Sequence, residues 1–156
     1  MSRILVACFS ASGVTAAKAK ELAAAANADY YEIQPAQPYT AADLKWTNSL
    51  ARCNREWIRK QKPALSDTDA PVADHDVIFL AFPIWYYTAP LIINGFLEQY
   101  DFAGKTVVCF ATSGGSDMKK VVKSLTPSAP GATLQEGLML NGGVNATALE
   151  ALPATL

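Results

Sequence analysis

The sequence predicts an α/β domain, a three-layer α/β/α sandwich in which helices cover both faces of a five-stranded parallel sheet. Apolar runs alternate with helix-forming segments along the whole chain. Most of these runs are continuously apolar, which is typical of parallel strands buried on both faces. No repeat or linker divides the 156 residues, which are enough for one sizeable core, so residues 1–156 are predicted to form a single domain.

The first half of the chain supplies two predicted strands and two predicted helices. Residues 3–9, RILVACF, form the continuous apolar run expected of a central strand. Residues 13–26 are rich in Ala, Lys, Glu and Leu, which are strong helix formers. The segment DYYEIQ at 29–34 is typical of a shorter strand. A second helix is predicted over 40–61, where Thr40 suits the N-cap position.

The second half repeats this alternation after a loop. Segment 62–76 is polar and contains prolines, which predicts that loop. His75 lies in it between two aspartates and is therefore predicted to be a surface turn residue and not a catalytic base. A helix is predicted to begin at Pro90, because proline is favoured at the first helical position. Ser116 is the expected cap of the next helix. The remaining elements are predicted as strands at 76–85, 105–112 and 133–140 and as helices at 90–100, 116–126 and 143–152.

Composition narrows the class of protein. A net charge of -1 gives no strong overall attraction to nucleic acid. No apolar run approaches the roughly 20 residues that span a bilayer, and the N-terminus lacks a signal-peptide pattern. The three cysteines are odd in number and far apart, and Cys8 and Cys109 are expected to be buried free thiols. We therefore expect a cytoplasmic protein with no metal site and no nucleic-acid or membrane partner.

A small, hydroxyl-rich loop, SASGVT at 10–15, follows the first strand. It opens a helix, whose first amides lack partners and carry the positive end of the helix dipole. Ser10, Ser12 and Thr15 add hydroxyl donors, and Gly13 permits a tight turn. The chain has neither Gly-Lys-Ser/Thr nor G-x-G-x-x-G, so a cradle for a monophosphate is favoured over a triphosphate or dinucleotide site. A plain helix cap at Ser12 is the alternative interpretation.

Two further strand ends carry unusual loops. Trp85, Tyr86 and Tyr87 follow the third strand, and three consecutive aromatic side chains are hard to bury in one core. They offer stacking faces for a planar ring, or alternatively anchor the loop to the next helix. After the fourth strand, Gly114 and Gly115 allow close approach of a ligand, although alone they indicate an ordinary turn. In the doubly wound order 2-1-3-4-5 the three loops are neighbours, which suits a ligand with a phosphate and a flat heteroaromatic ring.

The segments FSASGVT, FPIWYYTAP and ATSGGS together resemble the flavodoxin family, and the resemblance extends over essentially the whole chain. It implies a flavodoxin-like fold and non-covalently bound FMN. The implied phosphate contacts are Ser10, Ala11, Ser12, Gly13, Val14 and Thr15. The residues implied along the ring and ribityl chain are Pro83, Ile84, Trp85, Tyr86 and Tyr87. The residues implied at the polar edge of the ring are Thr112, Ser113, Gly114, Gly115 and Ser116.

The sequence leaves three functions open. The first is an FMN-binding electron-transfer protein that serves a redox partner protein or a small-molecule electron acceptor. The second is an NAD(P)H-dependent FMN oxidoreductase acting on quinone-type acceptors. The third is a binding module for another phosphorylated ligand. The segment 45–62 holds six of the thirteen basic residues and suits a dinucleotide phosphate, although such a run is more often a solvated helix face. No catalytic residue is assigned.

Overall fold

A five-stranded parallel sheet forms the centre of the computed structural model, which describes residues 4–10, 14–36, 65, 70–83, 89–112 and 118–139. The strand order is β2-β1-β3-β4-β5, as predicted. Each strand lies within its predicted range. The strands are β1 (Ile4–Phe9), β2 (Asp29–Ile33), β3 (Val77–Pro83), β4 (Thr106–Thr112) and β5 (Thr133–Met139).

The described part of the chain holds three α-helices: α1 (Val14–Ala26), α2 (Leu91–Gln99) and α3 (Met118–Leu125). None of them is long and apolar enough to cross a membrane. The prediction that Pro90 begins a helix was wrong by one residue. Pro90 has ψ 147°, which is extended, so it precedes α2 as the N-cap; the proline ring fixes only φ. The helices predicted at 40–61 and 143–152, and the cap at Ser116, fall outside the described residues.

Two hydrophobic clusters cover the two faces of the sheet. Side chains alternate between the faces along each strand, and every residue of 77–82 is buried, so β3 needs cover on both sides. Alanines of α1 pack against Val6, Phe79 and Phe110 on one face. Helices α2 and α3 pack on the other face, where Ile92, Phe96 and Val121 lie against Leu5, Leu80 and Val107. The result is the predicted three-layer arrangement.

His75 is buried and ties three segments together at the amino ends of the strands. Its ring Nδ1 lies 2.6 Å from the carbonyl oxygen of Pro71, and its Nε2 lies 2.7 Å from Oδ2 of Asp29 in β2. Lys105 donates from Nζ to the carbonyl oxygen of His75 at 2.7 Å, just before β4. The prediction that His75 is a surface turn residue was therefore wrong. The flanking aspartates indicate a polar turn, but one ring nitrogen lies against the carbonyl of Pro71, four residues earlier, and the other against Asp29, 46 residues away.

Strand β5 contains one extra residue beside the end of β4. Cys109 pairs with Glu136 and Ala111 pairs with Met139, so two steps along β4 match three along β5. Gly137 lies in this bulge. A Cβ there would stand 2.6 Å from the carbonyl oxygen of Cys109, so the close approach of the two backbones requires glycine.

The structure confirms that Cys8 and Cys109 are buried free thiols, and burial raises the pKa of each from its ordinary 9.0 to about 12. Both thiols should therefore stay protonated and unreactive near neutral pH, because only the thiolate is a nucleophile. In a Cys53→Ser variant, we expect a thiol reagent to label neither cysteine in the folded protein and both after unfolding in urea.

The raised pKa values also set the direction of a pH effect on stability. The protonated thiols favour the folded state, and this contribution is complete below pH 9.0 and declines as the pH rises towards about 12.

In the labelling experiment, a native thiol that reacts as fast as a small-molecule thiol would contradict the burial of Cys8 and Cys109.

Candidate functional site

The carboxyl ends of three neighbouring strands meet at one edge of the sheet. β1, β3 and β4 are adjacent and parallel, and they end at Phe9, Pro83 and Thr112. Helix α1 begins at Val14 on the same edge, because the chain turns there directly after β1. The chain reverses direction across the sheet between β1 and β3, and such a switch point is where open α/β sheets bind ligands.

Side-chain alternation decides which way Thr112 faces. In β4, Val108 and Phe110 belong to the cluster that contains Ala16 and Ala19 of α1. Their neighbours in β4 belong to the cluster on the opposite face. Thr112 continues the series of Val108 and Phe110, so its side chain lies on the face that α1 covers.

A buried hydrogen bond joins Thr112 to the first turn of α1. Oγ1 of Thr15 and Oγ1 of Thr112 are 2.7 Å apart, although the two residues are 97 positions apart in the sequence. Thr15 is only 2% exposed and Thr112 only 8%. Thr15 is the second residue of α1, so its backbone N–H is one of the first amides that lack a partner within the helix. The bond therefore fixes the start of α1 over the end of β3 and against β4.

This pair carries one more hydroxyl hydrogen than the bond can use. Each threonine hydroxyl has one hydrogen to donate, and only one hydrogen occupies the space between the two oxygens. Within the described part of the chain, neither hydroxyl makes a second hydrogen bond. A buried donor without an acceptor costs free energy. The spare hydrogen therefore suits an acceptor at this edge, and the amides of α1 favour an anionic one.

The other predicted site residues within the described chain also lie at this edge. Ser10 follows β1 directly and is half-buried, and Val14 is the first residue of α1. Pro83 is the last residue of β3 and pairs with Thr112 in the sheet. The structure thus brings together the ends of all three predicted loops. The remaining predicted contacts, which fall outside the described residues, are Ala11, Ser12, Gly13, Ile84, Trp85, Tyr86, Tyr87, Ser113, Gly114, Gly115 and Ser116.

The contact between Thr15 and Thr112 is the feature that the sequence did not predict. The resemblance implied separate roles for them, Thr15 at the phosphate and Thr112 at the ring. The apolar alternation in β4 does place Thr112 on the same face as Phe110. That alternation does not tell which helix covers the face, so the contact became visible only with the packing of α1.

Over residues 3–154, the sequence matches the protein family described as Flavodoxin. The chain belongs to the flavodoxin family. No curated protein matches it. Among solved structures, a candidate flavoprotein from Bacteroides eggerthii is 44% identical with a TM-score of 0.89, and the match covers 97% of this chain and 95% of that chain.

Two more distant structures share the flavodoxin fold. A flavoprotein in complex with FMN from Lactobacillus acidophilus is 18% identical with a TM-score of 0.69, covering 89% of this chain and 93% of that chain. An NADH:FMN oxidoreductase in its apo form is 18% identical with a TM-score of 0.55, covering 99% of this chain and 94% of that chain. At these identities the likeness extends to the fold alone.

The hydroxyl pair generates a prediction for the protein without ligand. Thr15→Val or Thr112→Val alone leaves one buried hydroxyl without its partner, which should lower the free energy of unfolding by about 1–3 kcal/mol. The double variant removes both hydroxyls and should lose clearly less than the sum of the single losses. Urea denaturation of the four proteins measures this.

Thr133→Val in β5 serves as the control, because Thr133 is exposed and its substitution should change stability little. Strictly additive losses in the double variant would show that the two hydroxyls do not interact in solution.

Proposed function

We propose that this chain binds FMN at the carboxyl edge of the sheet and works as an electron-transfer protein. The buried hydroxyl pair of Thr15 and Thr112 at the first turn of α1 carries this proposal. The pair offers a donor where helix amides already favour an anion, and the sheet places the loops after β3 and β4 beside it. Membership of the flavodoxin family supports FMN as the ligand.

The described donors fit the phosphate end of FMN. A phosphate ester is a strong acceptor with no need for a lysine when helix amides and hydroxyls surround it. Thr15 and the backbone of Val14 would hold the phosphate from α1, and Ser10 would hold it from the end of β1. The ring would extend towards the loops that begin after Pro83 and Thr112, where the aromatic and glycine-rich segments follow in the sequence.

The protein would bind, orient and shield the cofactor. FMN supplies a ring that accepts and releases electrons one or two at a time. Aromatic side chains from 85–87 would stack on the ring and exclude water from it. The rigid strands β1, β3 and β4 would keep the phosphate and the ring loops at a fixed spacing, because their residues are buried on both faces. A redox partner protein or a small electron acceptor would meet the exposed part of the ring.

Thr15→Val tests the phosphate contact. The substitution removes a hydroxyl hydrogen bond to a charged group, worth about 1.5–3 kcal/mol, or roughly ten- to hundredfold in Kd. FMN affinity should fall by that factor, whereas riboflavin, which lacks the phosphate, should bind with nearly unchanged affinity. Titration of flavin fluorescence gives both constants, with Thr133→Val as the control.

The bound flavin itself provides the simplest check. The protein should purify yellow or take up added FMN, and acid should release FMN and not FAD. A colourless protein that ignores excess FMN would overturn the proposal. Equal losses of FMN and riboflavin in Thr15→Val would instead place Thr15 away from the phosphate.

A second candidate is the NAD(P)H-dependent oxidoreductase, favoured by the basic segment 45–62, although this segment falls outside the described residues. A hydride enzyme needs nicotinamide stacked on the ring face, which the aromatic and glycine-rich loops would largely cover. We therefore expect NADH and NADPH alone to reduce the bound flavin slowly, and dithionite to reduce it readily. Anaerobic absorbance measurements record both rates.

The same experiment identifies the alternative. Rapid anaerobic bleaching by NADPH would favour the reductase. Loss of that bleaching when Arg52, Arg55 and Arg59 are neutralised together would assign dinucleotide binding to the basic segment.

A further inference from the structure

We propose that Thr112 is a positioning residue for the phosphate of FMN, which it influences through Thr15 and without touching it. This inference rests on the proposed FMN function and deepens it. It differs from the role that the family resemblance implied for Thr112, which was contact with the polar edge of the ring. The starting observation is the buried 2.7 Å contact between the two hydroxyl oxygens.

A bound phosphate fixes the direction of that hydrogen bond. In the protein without ligand, either hydroxyl can be the donor. The oxygens of a doubly ionised phosphate ester only accept hydrogen bonds, so Thr15 gives its single hydrogen to the phosphate. The hydrogen between the two threonines then has to come from Thr112. The result is a chain of donors from Thr112 to Thr15 to the phosphate.

Such a chain strengthens the contact with the anion in two ways. Hydrogen bonds in series polarise one another, by about 10–30% for each bond. The Thr15 side chain also has more than one staggered χ1 rotamer open to it. The bond from Thr112 selects the rotamer of Thr15 in which the oxygen faces β4.

Thr112 suits this task because it sits on a rigid support. Residues 107–111 of β4 are all buried, and each is at most 1% exposed. Thr112 also pairs with Pro83 in β3, which holds the strand end in place. A hydroxyl on this support keeps a constant position relative to α1. Thr112 would therefore favour flavins that carry a phosphate over those that lack one.

Affinities of four variants for FMN and riboflavin test the proposal. Thr112→Val should weaken FMN binding by about two- to fourfold and leave riboflavin binding unchanged. The bond to Thr15 is present with and without ligand, so only the extra strength that it gains beside the phosphate is lost. Thr112→Ser keeps the hydroxyl and should restore FMN affinity. In a Thr15→Val background, adding Thr112→Val should cause no further loss, because Thr112 acts only through the hydroxyl of Thr15.

A matched control is available on the same strand. Thr106 lies six positions earlier in β4, on the same face and at the opposite end, so Thr106→Val should leave the affinities for both flavins unchanged. The ³¹P chemical shift of bound FMN adds a second measurement. It should move in Thr112→Val and return in Thr112→Ser, which a general loosening of the fold would not produce.

The outcomes separate this inference from the proposed function. If Thr112→Val binds FMN as tightly as the wild-type chain does, the role of Thr112 is overturned and the proposal of FMN binding stands. Equal losses of FMN and riboflavin in Thr112→Val, or additive losses in the double variant, would also overturn it and indicate a direct contact with the flavin. A wild-type chain that binds neither flavin would overturn the proposed function, and the role of Thr112 with it.

Discussion

Burial of both faces of a parallel sheet is the constraint on which the rest of this structure depends. The central strands β1, β3 and β4 are almost entirely apolar, so each must be covered from both sides. Parallel strands require a crossover between them, and helices in these crossovers provide the cover. The same geometry directs every strand towards one edge. The loops that follow β1, β3 and β4 therefore meet, whatever their own sequences are.

The two edges of the sheet carry different kinds of polar contact. At the amino edge, His75 links the segment before β3 to Asp29 of β2, and Lys105 extends this network to β4. These contacts connect parts of the fold to one another. At the carboxyl edge, Thr15 and Thr112 bond to each other, and among the residues that the structure describes no acceptor takes the pair's second hydrogen. That difference explains why the carboxyl edge, and not the buried histidine, is the candidate binding site.

The contact between Thr15 and Thr112 at the carboxyl edge depends on close packing of α1 against the sheet. The residues of α1 that face the sheet include Ala16, Ala19 and Ala23, whose small side chains let the helix lie near the strands. Thr112 reaches Thr15 across the end of β3 because of this short separation. Larger residues at the alanine positions would move the helix outwards and separate the hydroxyls. The geometry of the site thus depends on apolar contacts deeper in the layer as well as on the polar residues themselves.

The strands were predictable because continuous apolar runs bounded by polar segments leave few alternatives, and all five described strands lie within their predicted ranges. Two predictions made from local sequence were wrong. Pro90 was placed one residue too far into α2, because proline fixes φ but not ψ. His75 was expected at the surface from its aspartate neighbours, whereas its actual partners are Pro71 and Asp29.

By itself, the sequence determined the layers and the alternation of strands and helices, since periodicity is a local property. The strand order, and with it the edge at which Ser10, Thr15, Pro83 and Thr112 would gather, followed from the resemblance to the flavodoxin family, because crossover rules alone leave several topologies open. Only the tertiary structure decided that Thr15 and Thr112 form a hydrogen bond and that His75 is enclosed. The physical reason is that both facts depend on the distance between elements far apart in the sequence. That distance is set by how side chains of different strands and helices pack against one another, so it cannot be derived from the sequence of any one segment.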